Sequence, residues 1–302
     1  MHAKKRLAAA TVFLLLLWSA AANTPGSVQE LAPGVFVRIG NRDRNQPANC
    51  GWVVFKDYVL VIDANFPWGA KEILPEIRKT TNKPIRFVFN THYHGDHAYG
   101  SSVFVDQGAA LVCSQDCAAE SRSKGQAAWD RNTATGEYSL KPYRLEHPTV
   151  VFEKNMVFDD GDKRVELHLA GPGHSKGDAV AWLPKEKIVF TGDLCVNWKS
   201  GNNVADADAD HENWLKALEK MYKAAPKTVV VGHGELGGAD VLTAQHAYLS
   251  EMLTKVRAGI AAGKTADQLA KEIDLTGHKI GADPERNAGS VRAMHRRLAA
   301  KR

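Results

Sequence analysis

The sequence feature that most constrains this chain is a thirteen-residue stretch beginning at Ile85. Residues 85–89 are Ile-Arg-Phe-Val-Phe, a β-rich apolar run bounded by Pro84 and Asn90. It leads straight into Thr91-His92-Tyr93-His94-Gly95-Asp96-His97. The alternation of His92 and His94 turns two imidazoles to one side of an extended segment. Asp96 and His97 add a carboxylate and a third imidazole. Neutral imidazole and carboxylate suit zinc and similar divalent ions. A buried core has no use for charge and imidazole at that density. The chain must therefore place a strand end beside an open, polar centre.

Three further candidates each follow an apolar strand and sit in a glycine-containing turn. They are His174 in Gly171-Pro172-Gly173-His174-Ser175, Asp193 in Thr191-Gly192-Asp193, and His233 in Gly232-His233-Gly234. Glycine lets the backbone turn sharply there, so these side chains can converge on one centre. His147, His168, His211, His246, His278 and His295 lack this setting and read as surface or structural residues.

The N-terminus reads as an export signal over residues 1–22. Lys4, Lys5 and Arg6 precede a short apolar run, and Ala20-Ala21-Ala22 offers a small-residue cleavage site before Asn23. The run is too short for a spanning helix, so the expectation is a secreted or periplasmic protein with no membrane contact once the signal is removed. The charge balance agrees. Of 39 Lys+Arg against 34 Asp+Glu, three basic residues belong to the signal, leaving 36 against 34. A near-neutral remainder implies no nucleic-acid partner. With 44% hydrophobic and 24% charged residues, the 302-residue chain is neither disordered nor a polytopic membrane protein. Cys50, Cys113, Cys117 and Cys195 are too few for a disulfide scaffold in a chain of this length, and read first as small buried thiols; three full pairings remain open to them.

Strands are expected at 35–39, at 52–55 and 58–62 around a Lys56-Asp57 turn, and at 110–113. Two hairpins follow, 156–158 with 165–169 and 179–183 with 188–190, then a last strand at 228–231. Helices are expected at 70–80, from about Ser114, at 214–224 and through most of the final sixty residues, with 124–147 mainly a loop. Strand-rich stretches interrupted by helices in both halves predict sheets covered by helices in one α/β unit.

The four blocks that carry these ligand-type residues, in this order, resemble the metallo-β-lactamase superfamily. The resemblance spans about residues 30–250 and implies a four-layer αββα sandwich, with a C-terminal helical extension at 251–302 packed on the same domain. It implies that His92, His94 and His174 hold one zinc, that Asp96, His97 and His233 hold a second, and that Asp193 bridges them; iron or manganese are alternative metals. Asp63 matches a supporting aspartate of that family. The stretches 171–190, 203–207 and 231–236 resemble the true β-lactamases that use a cysteine ligand, which implies Asn203 as an oxyanion helper and Asp96 as orienter of a nucleophilic hydroxide shared by the metals. Two positions depart: that group has a cysteine where Asp193 stands and an arginine where His97 stands, and Cys195 is not the matching position. The seven-residue set is instead that of glyoxalase II and lactonases. The lactamase lysine has no clean counterpart: Lys199 is near its place, but the local length differs, and Lys199 reads first as a solvated loop lysine. Phe66 and Trp68 are expected at the pocket mouth, and Trp52 in the core.

The resulting expectation is an exported binuclear zinc hydrolase that opens a cyclic amide or related small carbonyl compound, as β-lactamases do. A lactonase or thioesterase with the same site is the second reading. A mononuclear iron oxidoreductase resembling the persulfide dioxygenases is the alternative of another class.

Overall fold

The structure, a computed structural model, describes residues 23–300. The expected export signal at 1–22 lies outside the described residues. Two sheets form the middle of the molecule. The first has seven strands in sequence order: β1 (Val28–Ala32), β2 (Val35–Arg38), β3 (Cys50–Val54), β4 (Val59–Ile62), β5 (Ile85–Phe89), β6 (Ala110–Ser114) and β7 (Val150–Phe152). It is antiparallel from β1 to β4 and parallel from β4 to β7. The second holds β8 (Asn155–Asp159), β9 (Arg164–Leu169), β10 (Ala179–Leu183), β11 (Ile188–Phe190) and β12 (Thr228–Val230), with only β11 and β12 parallel.

Strand alternation builds the layers. In β4, Leu60 and Ile62 face the second sheet and pack with Phe158, Leu167, Ala181 and Phe190. Val59 and Val61 point the other way, with Trp52, onto α1 (Pro67–Thr80), where Ile73 and Ile77 are fully buried. In β11, Ile188 and Phe190 face the first sheet while Val189 faces outward. That outer face of the second sheet is covered by α6 (His211–Lys223), α7 (Asp240–Ala261), α8 (Ala266–Glu272) and α9 (Pro284–Ala299) through Trp214, Leu218, Leu249, Leu269 and Val291. The result is the expected αββα sandwich. Each of these large side chains contributes about 1.5–3 kcal/mol by leaving water. The expected boundary at residue 250 falls inside α7, whose buried stripe runs continuously from Val241 to Val256.

The two-residue turn at Lys56-Asp57 is closed by Phe55 N–H donating to the Tyr58 carbonyl at 2.9 Å. At Asp159–Asp162 the hairpin turns through Gly161 at φ +88°. Four elements differ from expectation. β1 and β7 are strands at the two edges of the first sheet, and α2 (Gly95–Ala98) and α3 (Ser101–Val105) are short helices after β5. Helix α1 starts at Pro67, because proline fits the first helical position. The region after Ser114 is more helical than its composition suggests. Ser114 caps α4 (Gln115–Glu120) through Cys117 N–H, and a π-turn at Ser121–Gly125 carries the helix into α5 (Gln126–Asp130). All four cysteines are free and buried.

Candidate metal centre

The seven sequence-identified side chains meet at the ends of four strands. β5 delivers His92, His94, Asp96 and His97; β9 leads to His174; β11 leads to Asp193; β12 leads to His233. Their donor atoms fall into two sets, His92, His94, His174 and Asp193 in one, and Asp96, His97 and His233 in the other, each within 4.8 Å. Asp193 lies between them. Its Oδ2 is 3.6 Å from His174 Nε2 and 3.9 Å from His92 Nε2, its Oδ1 is 3.2 Å from His97 Nε2, and His233 Nε2 lies 3.1 Å from Oδ1 and 3.2 Å from Oδ2.

Every imidazole is held by one nitrogen and presents the other to the centre. His174 Nδ1 donates to the Asn203 carbonyl at 2.8 Å, and His233 Nδ1 to the Pro47 carbonyl at 2.9 Å. His97 Nδ1 donates to Asp63 Oδ2 at 2.8 Å. The same carboxylate accepts Thr91 N–H and Oγ1–H, and Thr91 Oγ1 in turn accepts from His92 Nδ1 at 3.1 Å. Asp63 thus fixes two of the rings, and it does so from φ +57° at the end of β4. His94 is reversed. Its Nδ1 faces His174 Nε2 at 3.0 Å, and its Nε2 donates to Asp206 at 3.3 Å. Such outer contacts fix tautomer and ring orientation for metal binding. The buried His92 Nε2 has no hydrogen-bond partner. A cation among these atoms satisfies a donor set that protein groups leave open, so the residues fit a divalent metal.

The electrostatics agree. Burial, then His97 and His94, hold His92 well below the usual imidazole range. Burial and His94 lower His174 to about 4. Burial works against charge at His233 as well, but Asp193 and Asp96 raise it to about 9. At Asp193 burial opposes ionisation, and His233 and His97 overcome it, keeping the carboxyl well below its ordinary range. The carboxylates draw positive charge to the centre.

A hub of charge supports this centre from outside. Lys124, placed by the π-turn, reaches Glu120 at 3.0 Å, Asp206 at 2.8 Å and Asp208 at 2.7 Å. Asp206 holds His94 and accepts from the Tyr93 hydroxyl. Glu120 accepts the Lys176 and Gly177 N–H groups on the His174 loop. One ammonium therefore ties down the supports of two histidines.

The centre opens into a cavity of about 350 Å³, walled by Asn45, Asn203, Trp198, Arg42 and Arg286. Asn203 lines the cavity, and its Oδ1 accepts from Ala205 N–H at 3.0 Å. Trp198 stacks on His233 with ring centroids 4.5 Å apart. Lys199 is exposed and lines a neighbouring depression, as a solvated loop lysine does. Two sequence expectations change here. Phe66 and Trp68 stack on each other and pack with Tyr99 and Leu140, so they do not wall this cavity. Trp68 Nε1 still reaches it indirectly by donating to the Asn45 carbonyl. Trp52 is fully buried, as expected. Sequence reasoning missed Trp198, Lys124, Asp206, Arg42 and Arg286. Of these, only Asp206 stands in a stretch, 203–207, that the sequence singles out.

An αββα sandwich bearing this His/Asp cluster at its strand ends defines a metal-dependent hydrolase. Residues 43–233 match the metallo-beta-lactamase superfamily, and the chain belongs to it. Metallo-beta-lactamase IND-1 from Chryseobacterium indologenes is 26% identical over 196 residues, covering 63% of this chain and 73% of that protein. Among solved structures, a metallo-beta-lactamase from Pontibacter korlensis superposes with a TM-score of 0.60 at 22% identity, over 74% of this chain and 98% of that one. The stereoselective inverting sec-alkylsulfatase Pisa1 from Pseudomonas sp. gives a TM-score of 0.66 at 17% identity, over 90% of this chain and 50% of that one. No helix among the described residues is long and apolar enough to cross a membrane.

Proposed function

We propose that this protein is an exported binuclear zinc hydrolase that opens a cyclic amide or related small carbonyl compound, with β-lactam-like substrates first. The observation that carries the reading is the division of seven donors into two sets with Asp193 contributing one oxygen toward each. His92, His94 and His174 would hold one ion and Asp96, His97 and His233 the other, with Asp193 shared between them. Zinc held there would supply Lewis acidity and lower the pKa of its water to about 7.

The chain's own groups do the rest. Asp96 is the most open of the carboxylates here, 23% exposed at its side chain, with Oδ2 3.2 Å from His233 Nε2. Burial opposes its ionisation, but His97 and His233 keep it ionised, so Asp96 can orient a nucleophilic hydroxide by accepting its hydrogen bond. Asn203, which lines the cavity and has its Oδ1 engaged by Ala205 N–H, would offer its amide N–H to a carbonyl oxygen that gains charge. Trp198 shields His233 from solvent on one side.

A lactonase or thioesterase is the second reading, favoured by Asp193 and His97 in place of a cysteine and an arginine. Metal analysis and a panel of β-lactams, lactones and thioesters test all of this. Two zinc ions per chain with turnover of a panel member supports the proposal, and the preferred member names the substrate. A dizinc form that turns over none of them refutes it. One iron with oxygen uptake replaces it with the oxidoreductase reading. Mature protein isolated from its native host should begin at Asn23, and retention of residues 1–22 would contradict export.

A further inference from the structure

The lining of the cavity over the metal centre includes two exposed arginines, Arg42 and Arg286, that the hydrolase chemistry does not use. Arg42 lies in the turn at Arg42–Arg44, just after β2. Its guanidinium stacks 4.4 Å above the Trp198 ring, which itself lies on His233, and its Nη1 donates to Ser200 Oγ at 3.2 Å. Arg286 lies in the first turn of α9, far beyond the 43–233 segment shared with the superfamily. Its backbone is fixed. Asp283 caps its N–H, the next residue Asn287 is buried under the Tyr248 hydroxyl, and Asp283 N–H donates to the Lys199 carbonyl at 3.2 Å. A Cβ on Gly201 would lie 3.1 Å from the Gly281 Cα, so the chain entering α9 sits directly on the 198–203 loop. Trp198, Lys199 and Ser200, three consecutive residues, thus anchor both arginines.

Other arginines nearby are spent on acids: Arg38 and Arg44 both pair with Glu72. Among the described residues, neither Arg42 nor Arg286 has a carboxylate within 4.0 Å, yet both line the cavity. The acids of that cavity, Asp96 and Asp193, face the histidines. Guanidinium groups suit carboxylate, sulfate and phosphate because their planar donors match two oxygens at once.

We propose that Arg42 and Arg286 form an anion subsite, so that the substrate is an oxyanion-bearing molecule held by its charged group on the C-terminal helix while its scissile bond lies over the metal centre. The inference rests on the hydrolase reading above and adds a specificity-determining role for a helix outside the shared family segment.

Thiols of one length test it, because sulfur anchors on the metal and the far end probes the subsite. The cobalt-loaded full chain is titrated with 3-sulfanylpropanoate, 2-sulfanylethanesulfonate and 3-sulfanylpropanamide, following the cobalt–thiolate absorption band. The expected result is that the anionic probes bind about tenfold more tightly than the amide, equal to about 1.4 kcal/mol. R286Q and R42Q should each bring that ratio toward one, R286K should retain part of it, and R286E should invert it. The change of that ratio between parent and variant cancels differences in thiol acidity and any general loss of fold. The stronger of the two anions identifies the charged group. A ratio that stays the same in R286Q and R42Q overturns the subsite while leaving the metal reading intact. Absence of the band with every probe overturns the metal reading, and the subsite falls with it.

Discussion

Replacing Lys124 with methionine tests the charge hub most directly. The change keeps the length of the stem and removes the ammonium from Glu120, Asp206 and Asp208. Glu120 and Asp206 are each 4% exposed at the side chain, so they lose their cation in a poorly solvated place. Breaking a buried pair in this way costs about 3–5 kcal/mol. Two facts reduce that figure. Lys124 is itself 29% exposed, and both acids keep other donors: Glu120 has the Lys176 and Gly177 N–H groups, and Asp206 has Tyr93, His94 and Asp208 N–H. A loss of about 2 kcal/mol is expected for the metal-free protein, measured by urea unfolding. A second readout separates the hub from general instability. Since Asp206 orients His94 and Glu120 holds the His174 loop, affinity for zinc added to the set His92, His94, His174 and Asp193 should weaken by about 10–100-fold, the usual effect of losing an outer contact. Chelator competition on the folded protein measures this, and K124R should restore most of it. Stability within about 0.5 kcal/mol of the parent, the usual scatter of surface substitutions, together with unchanged zinc affinity, would refute the reasoning.

Three further outcomes are expected. In D63N only one oxygen remains for the Thr91 N–H and His97 Nδ1–H groups, so one of them meets an NH2 group, and affinity for a metal ion held through His97 should fall about 10–100-fold; equal affinity by chelator competition contradicts this. Burial pushes Asp178 up to about 7 despite its hydrogen bonds from Ser175. The folded chain therefore keeps a proton that the unfolded chain releases above about pH 4. That contribution is complete below about pH 4 and is lost as pH rises through about 7, at up to roughly 1.4 kcal/mol per pH unit; D178N should flatten this slope in unfolding of the metal-free protein, and an unchanged slope rejects the assignment. In G177A a Cβ would lie 2.0 Å from Cys117 N, a backbone atom that cannot step aside, so a loss of about 1–3 kcal/mol in denaturant unfolding is expected, and none would show that α4 and the His174 loop are loosely joined.

The candidate centre was legible in the sequence because each of its donor-type side chains carries a local mark. His92, His94, Asp96 and His97 occupy one strand end, and His174, Asp193 and His233 each follow an apolar strand into a glycine-containing turn. The strands were legible for a related reason, since their two faces both read as apolar against two covering layers. What could not be read is what depends on distant packing. Nothing near Arg286 marks it as a cleft residue, because its place is set by Asp283 meeting Lys199 across more than eighty residues. Lys124 owes its position to one π-turn, which no spacing rule announces. Phe66 and Trp68 carry the composition of a pocket mouth, but Tyr99 and Leu140 give them a better apolar partner. β7 is three residues long and sits at an edge, too short for its alternation to be distinguished from loop.

The division of the histidines between the two sheets has a consequence in time. Each donor set takes members from β5, in the first sheet, and from loops that follow strands of the second. As the chain is made from its N-terminus, the first sheet's ligands are complete long before His174, Asp193 and His233 exist. A partly made chain therefore presents three imidazoles and Asp96 as an exposed chelating segment with no enclosing wall. Neither set of donors closes until the second sheet has docked on the first. Tight metal capture is thus a late event, and it marks chains whose halves have found each other.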